Sequence, residues 1–229
     1  MSVDFRRGWV YPLLTMKIAL HGTICSGKST IARLLSEHHG FTTVTLASPI
    51  YLAAALSKKL LTTDDLFPVS LYEFLGGLVD DQFVGPIYHC WMRLAWEHHD
   101  LLMSDEKPRA FLQDFGSLVR EYDETAFIRR VLENAEDEAV CDDLRMWDEA
   151  EAMMNDGWLL VKVELPEEKR LERVQRLYPE QLGRLQHKTE TDLADWTEWH
   201  GTINTDCMKD EMPGRVGKLL DDLRGLGAG

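Results

Sequence analysis

Basic residues are scarce in this 229-residue chain: 25 lysines and arginines face 39 aspartates and glutamates, a formal net charge of −14. Surfaces that track a nucleic-acid backbone are usually basic, so this balance argues against a polynucleotide partner. It leaves room for a local pocket that takes one small anion. Cysteine is sparse as well. Cys25, Cys90, Cys141 and Cys207 are irregularly spaced, with no C-x-x-C pair. That pattern speaks against a disulfide framework or a zinc site and suits a reducing cytosol. The doublets His38-His39 and His98-His99 make poor chelates, because adjacent helical residues point about 100° apart; solvated helix faces are the expectation. Long hydrophobic runs are missing too, so no membrane span is expected and a cytoplasmic location is.

What is present is a globular composition, 45% hydrophobic and 9% aromatic. Residues 1–15 read as an N-terminal extension, or as an over-long start, because Met16 immediately precedes a strand-like run. Residues 16–229 read as a single domain. Met16–His21 is a short apolar strand, and a helix is expected from Lys28 to His39 with Gly40 as its stop. Thr42–Leu46 is β-branched and reads as the second strand. Residues 49–61 follow as a helix, with Ser48 as cap and Pro49 at its first position. Residues 70–135 hold helical segments and no convincing strand, so 47–135 reads as a helical region. Glu138–Asp142 and Trp158–Leu165 are the next strands, with a helix near Trp147–Asn155 between them. A charged helix Glu167–Tyr178, a short strand Thr202–Thr205 and a helix Arg215–Leu226 complete the pattern. Strands separated by helices imply crossovers, hence a parallel sheet covered on both faces. The expected class is α/β.

The strongest chemical signal is Gly22-Thr23-Ile24-Cys25-Ser26-Gly27-Lys28-Ser29, which fits G-x-x-x-x-G-K-[ST]. Glycines let such a loop curl until successive backbone N–H groups converge on phosphate oxygens. The lysine reaches the outer phosphates, the serine hydroxyl offers a Mg²⁺ ligand, and the helix start adds its positive dipole end. Ordinary residue frequencies produce the pattern by chance in roughly one such chain in a hundred. The donor-nucleotide set is then Gly22, Ile24, Cys25, Ser26, Gly27, Lys28, Ser29 and Thr30. Cys25 reads as a small packed residue rather than a nucleophile.

Three further groups are weaker signals. Asp142-Asp143 ends a buried strand, where a phosphate-loop fold places a second Mg²⁺-facing carboxylate. Asp143 is preferred because it lies further toward the carboxyl end; a solvated turn is the alternative. Arg145, two residues on, would face the same crevice. Arg109, Gln113, Gly116 and Arg120 recur at i, i+4, i+7 and i+11 along one helix face. Two guanidiniums suit a phosphate, glutamine can pair with a base edge, and glycine lets a flat ring approach; a solvated face is the bland reading. Arg170, Arg173 and Arg176 form either a charged exterior paired with nearby glutamates or a lid closing over phosphates.

With these residues in view, the chain resembles the bacteriophage deoxynucleoside monophosphate kinases, a branch of the P-loop nucleotide kinases. The likeness runs from about Met16 to Asp206. It rests on the P-loop, Ala47-Ser48-Pro49, the Arg-x-x-x-Gln-x-x-Gly-x-x-x-Arg helix, Asp143-Leu144-Arg145 with Glu149-Ala150-Glu151, His187-Lys188-Thr189-Glu190, and Ile203-Asn204. Met146, Trp147 and Asp148 depart from the family, which shows an aromatic residue followed by asparagine. The resemblance implies a P-loop nucleotide-kinase fold of about five parallel strands, a helical substrate-binding insertion at 47–135 and a short lid at 166–190. It further implies Mg²⁺-ATP as donor, a deoxynucleoside monophosphate or a modified one as acceptor, and often a homodimer. A phage kinase would work in the cytoplasm of an infected bacterial cell.

In that scheme Lys28, Asp143, Arg145, Arg173 and Arg176 are the expected catalytic residues. Ser29 and Asp143 hold the metal, and Arg109, Gln113, Gly116, Arg120 and Arg145 bind the acceptor. Two alternatives stand beside it. One is a P-loop kinase phosphorylating a hydroxyl group, on a hydroxymethylated pyrimidine in DNA or on a small metabolite, with Asp143 as general base. The other is a regulator that binds ATP without turnover. The Trp/His-rich stretch 88–99 either shapes a base pocket or packs a helical core.

Overall fold

A computed structural model describes residues 15–62, 69–185 and 188–226. The extension at 1–15 (Thr15 aside), His187 of the family motif and the three C-terminal residues lie outside the described residues. In chain order the elements are β1 (Met16–His21), α1 (Lys28–His39), β2 (Thr42–Val44), α2 (Ser48–Thr62), α3 (Val69–Gly76), α4 (Asp81–Glu97) and α5 (His99–Met103). They continue with α6 (Arg109–Tyr122), α7 (Ala126–Asn134), β3 (Glu138–Leu144), α8 (Trp147–Asn155), β4 (Leu159–Glu164) and α9 (Glu167–Leu177). After a 3₁₀ turn at Pro179–Arg184 come α10 (Lys188–Thr191), β5 (Gly201–Asn204) and α11 (Met212–Leu226). The chain divides into two compact units: residues 1–43 with 136–229, and residues 44–135.

The first unit is built on the five-stranded parallel sheet, in the order β2-β3-β1-β4-β5. β1 pairs in parallel with β3 and with β4, and β4 pairs in parallel with β5. Because β1 is central and covered on both faces, it needs apolar residues at successive positions, and Ile18, Ala19 and Leu20 are all fully buried. Strand alternation then sorts the core. Ile18, Leu20, Val140, Val161, Val163 and Ile203 meet Ile31 and Leu35 of α1 and Val216, Leu219, Leu220 and Leu223 of α11 in one cluster. Each such side chain contributes about 1.5–3 kcal/mol by leaving water. α8 packs against β4, and its buried Ala150 and Met153 lie outside that cluster, so the sheet is covered on both faces. This is the α/β architecture expected from the sequence.

The order of the strands places the site. From β1 the chain runs to β2 on one side, while from the neighbouring β3 it crosses to β4 on the other, so the carboxyl ends of β1 and β3 flank a topological switch point, where ligands bind in open parallel sheets. The segment leaving that end is Gly22–Gly27. It delivers the chain into α1 through Gly27, at φ 103°, and α1 stops at Gly40, at φ 79°, whose N–H bonds to the Leu35 carbonyl. Both positions require a left-handed backbone, which glycine adopts without steric cost.

Several sequence boundaries shift. α2 begins at Ser48 itself, so Ser48 is its first residue rather than its cap, and β2 ends at Val44. β3 runs two residues beyond the expected Asp142. Ala19 of β1 pairs with Cys141 but His21 pairs with Leu144, so β3 carries one extra residue there, at the Asp142-Asp143 pair. A bulge of this kind re-aims side chains at a strand end without ending the pairing.

Past Val44, the last residue of β2, every regular element among the described residues of the second unit is a helix. Its core is aromatic: Trp91, Phe111 and Phe115 are buried, and Trp91 lies 5.0 Å from Phe115 and 5.6 Å from Phe74 by ring centroids. The Trp91 indole N–H donates to Ser57 Oγ at 2.7 Å, and that hydroxyl donates to the Ala53 carbonyl at 2.8 Å, so the buried polar atoms are paired. Tyr88 and Trp91 of the Trp/His-rich stretch are therefore core residues. Trp96 is not: it is exposed and stacks on His99.

Candidate functional site: a phosphate-binding loop at the end of the central strand

The loop is constrained at each end by what packs against it. A Cβ added to Gly22 would lie 2.6 Å from Ser26 Oγ and 2.6 Å from the Val163 carbonyl oxygen, so no side chain fits there. At Gly27 it would meet Thr205 Cγ2 at 3.1 Å. Thr205, just past β5, is buried; its hydroxyl donates to the Ser26 carbonyl at 2.6 Å, with the Glu164 carbonyl at 3.2 Å. Cys25 sits at φ 64°, a left-handed conformation that costs a non-glycine residue about 1–2 kcal/mol. Burial raises the Cys25 thiol pKa, so it stays protonated and is no activated nucleophile.

Lys28, in the first turn of α1, is buried and folds back on the loop. Its ammonium donates to the carbonyls of Gly22 and, at 3.1 Å, of Thr23. Its pKa falls from the usual lysine value to about 8, first because burial strips its water, then because the Arg145 guanidinium is near. Glu190, Asp142 and Asp143 act in the opposite direction. The Ser26 hydroxyl is buried without a protein partner. Ser29 and Thr30, one step further along α1, are exposed.

Charged groups from three other segments, α10, α9 and the end of β3, bear on the loop. Glu190 of α10 accepts the Ile24 N–H through Oε2 at 2.7 Å and binds Arg145 Nη1 through Oε1 at 2.5 Å. Arg173 of α9 donates from Nη1 to the Cys25 carbonyl at 3.4 Å. At the end of β3 the Cys141 thiol, its pKa pushed well up by burial, donates to Asp143 Oδ1 at 3.2 Å and so orients that carboxylate. Glu149, buried in the first turn of α8, accepts the N–H groups of Arg145 and Met146 at 3.1 Å each and fixes the backbone after β3. His21 ends β1 with a pKa lowered to about 4, chiefly by burial, so its neutral ring donates from Nδ1 to the Leu144 carbonyl at 3.1 Å. It stacks on Trp199 at 5.3 Å.

The sheet unit thus brings Ile24, Cys25, Lys28, Arg145 and Arg173 to one loop. Arg176 is not among them. Helical residues at i, i+3 and i+6 drift by about 60° per step, so Arg176 points about 120° away from Arg170 and is exposed. Arg170 is the better second candidate, because its charge is felt at Cys25. In the helical unit, Arg109, Gln113, Gly116 and Arg120 all lie on α6. Arg120 sits over the Phe127 ring at 4.7 Å, and Gln113 is exposed. The space beside Gly116 is taken by Ile50: an added Cβ would meet Ile50 Cδ1 at 3.0 Å, so there the glycine admits a neighbouring aliphatic side chain rather than a flat ring. His21 and Thr205 escaped the sequence reading, and Glu190 entered it only through the family motif. The usable signal for Thr205 was its place at the carboxyl end of the last strand.

The donor set suits ATP and Mg²⁺. The loop already accepts an anionic oxygen, that of Glu190, on a backbone N–H. Among the described residues no three His, Cys, Asp or Glu side chains cluster as a metal site. Among the described residues no helix is long and apolar enough to cross a membrane.

No family model matches the sequence, and no curated protein matches it; nothing in these comparisons names the phage deoxynucleoside monophosphate kinases. Among solved structures the chain is similar to shikimate kinase from Aquifex aeolicus, with a TM-score of 0.46 and 16% identity, over 93% of this chain and 99% of that one.

Proposed function

We propose that the protein is a phosphotransferase that moves the γ-phosphoryl group of Mg²⁺-ATP onto the 5′-phosphate of a deoxynucleoside monophosphate. The observation that carries the donor half is the convergence on one loop of a backbone N–H, the buried Lys28 and the guanidiniums of Arg145 and Arg173. That set supplies the positive charge a transferring phosphoryl group needs. The acceptor half is supported by the sequence pattern at Asp143–Glu151 and on α6.

In this reading the loop backbone holds the donor phosphates. Lys28 turns from the Gly22 and Thr23 carbonyls toward them, and Ser29 with Asp143 would hold Mg²⁺. The metal, when bound, neutralises phosphate charge. Arg145 and Arg173 neutralise the transferring group and, by excluding water, keep ATP from hydrolysis. An acceptor phosphate is already ionised, so alignment and charge cancellation matter more than proton abstraction. Arg109, Arg120 and Gln113 are proposed for the acceptor's phosphate and base.

The test is incubation with Mg²⁺-ATP and a pooled panel of deoxynucleoside and nucleoside monophosphates, hydroxymethylated ones included, with products weighed by mass spectrometry. One or a few diphosphates are expected. A silent panel with ATP still bound would contradict the acceptor assignment and direct the search to hydroxyl acceptors, with Asp143 as base.

A further inference from the structure

The N–H groups and the lysine of a phosphate loop are donors set for an anion, and buried donors left unpaired are destabilising. Here an acidic side chain pairs with one of them. Glu190 is one short helix's contribution to the loop, 12% exposed at its side chain, and its two oxygens do separate tasks: Oε2 takes the Ile24 N–H and Oε1 takes Arg145. Its charge also acts on Lys28. One carboxylate therefore engages a loop N–H, the guanidinium and the field of the ammonium, the same three kinds of group that a phosphate would claim.

The segment that carries it is anchored at its other end. Asp192 Oδ2 accepts the Trp147 N–H at 2.8 Å, the buried Trp196 packs edge-on to Trp147 at 4.7 Å, and Trp199 stacks on His21. Residues 192–199 are thus held by rings and a cap, whereas the reach of Glu190 onto the loop rests on polar contacts that another anion can replace. A carboxylate and a phosphate cannot both accept the Ile24 N–H, and two anions held that close in a low-dielectric site repel each other.

Resting on the reading of Gly22–Ser29 as a phosphate site, we propose that Glu190 is a built-in occupant of that site: it holds the loop and Arg145 until donor phosphate displaces it from both. The consequences are specific. Glu190 weakens nucleotide binding by competition. It also keeps Arg145 neutralised until the donor is seated, so the acceptor phosphate gains this guanidinium only afterwards, which makes binding ordered, donor first.

The test uses the full chain and two probes, inorganic tripolyphosphate and Mg²⁺-ATP. By calorimetry, Glu190→Gln, which keeps the shape and removes the charge, should bind tripolyphosphate about tenfold more tightly than the wild type. In the wild type, tripolyphosphate should slow amide hydrogen exchange in the peptide covering 22–30 and speed it in the peptide covering 188–192. The exchange measurement needs no variant, so it decides the matter even where Glu190→Gln folds poorly. Unchanged or weaker binding by Glu190→Gln, or slower exchange at 188–192 on binding, overturns the proposal and makes Glu190 a group that closes on the ligand. Failure of both proteins to bind either probe would instead overturn the phosphate-site reading on which it rests.

Discussion

The two units solve the problem of buried polarity in opposite ways. In the helical unit the interior is aromatic, and its buried hydroxyl and indole, Ser57 and Trp91, are paired with each other and with the backbone. In the sheet unit a lysine, a serine hydroxyl and a threonine are drawn out of water at one loop, and the serine Oγ finds no protein partner. A fold optimised only for stability would resemble the first arrangement throughout. Concentrated charge, a left-handed cysteine and an orphan hydroxyl are stability costs gathered in one place, at the candidate site.

That contrast can be broken or sharpened by substitution. The largest effect should come from Lys28→Ala, which in the proposed function removes the charge that meets the donor phosphates; kcat for phosphoryl transfer should fall at least about 10³-fold, measured by coupled assay on the folded variant. Gly22→Ala should follow: its Cβ meets backbone and side chain at 2.6 Å, and a loss of about 3 kcal/mol is expected in denaturant titration, with nucleotide binding lost too. In the helical unit the nearest counterpart should behave differently. At Gly116 the obstacle is the flexible tip of Ile50, and alanine gains up to about 1 kcal/mol of helix propensity, so Gly116→Ala should change stability by less than about 1 kcal/mol.

The pH response of Lys28 separates binding from folding. Its folded pKa of about 8 lies below that of an unfolded lysine, so the unfolded chain holds more protons between about pH 8 and 10.5. This group therefore makes the nucleotide-free protein more stable as pH rises through that window. In the proposed function phosphate binding needs the ammonium, so ATP affinity should fall over the same range, roughly tenfold by pH 9, read by calorimetry. Arg145, Glu190, Asp142 and Asp143 all bear on this group. The smallest effect is expected on α6: Gln113→Ala should alter preference among bases while costing less than about tenfold on the best substrate. Equal losses on every base would remove Gln113 from base recognition.

What the sequence disclosed follows the same division. β1, the loop and α1 could be read to the residue, because glycines at positive φ and a lysine at fixed spacing are backbone requirements that leave a local trace. The end of β3 could not, since two adjacent aspartates look like a turn; the extra residue that keeps Leu144 opposite His21 appears only in the pairing. Glu190 had no local signal for its role, because its partners Arg145 and Ile24 are 45 and 166 residues away. The α6 pattern was visible but ambiguous, because a polar helix face serves water as well as a ligand.

The most direct test of the account is the acceptor dependence of ATP turnover, followed as ADP formation with and without the deoxynucleoside monophosphate that the panel identifies. The account predicts slow hydrolysis alone and a large acceleration by the acceptor, with one diphosphate made for each ADP and with both abolished in Lys28→Ala. Vigorous hydrolysis that no acceptor changes would contradict it.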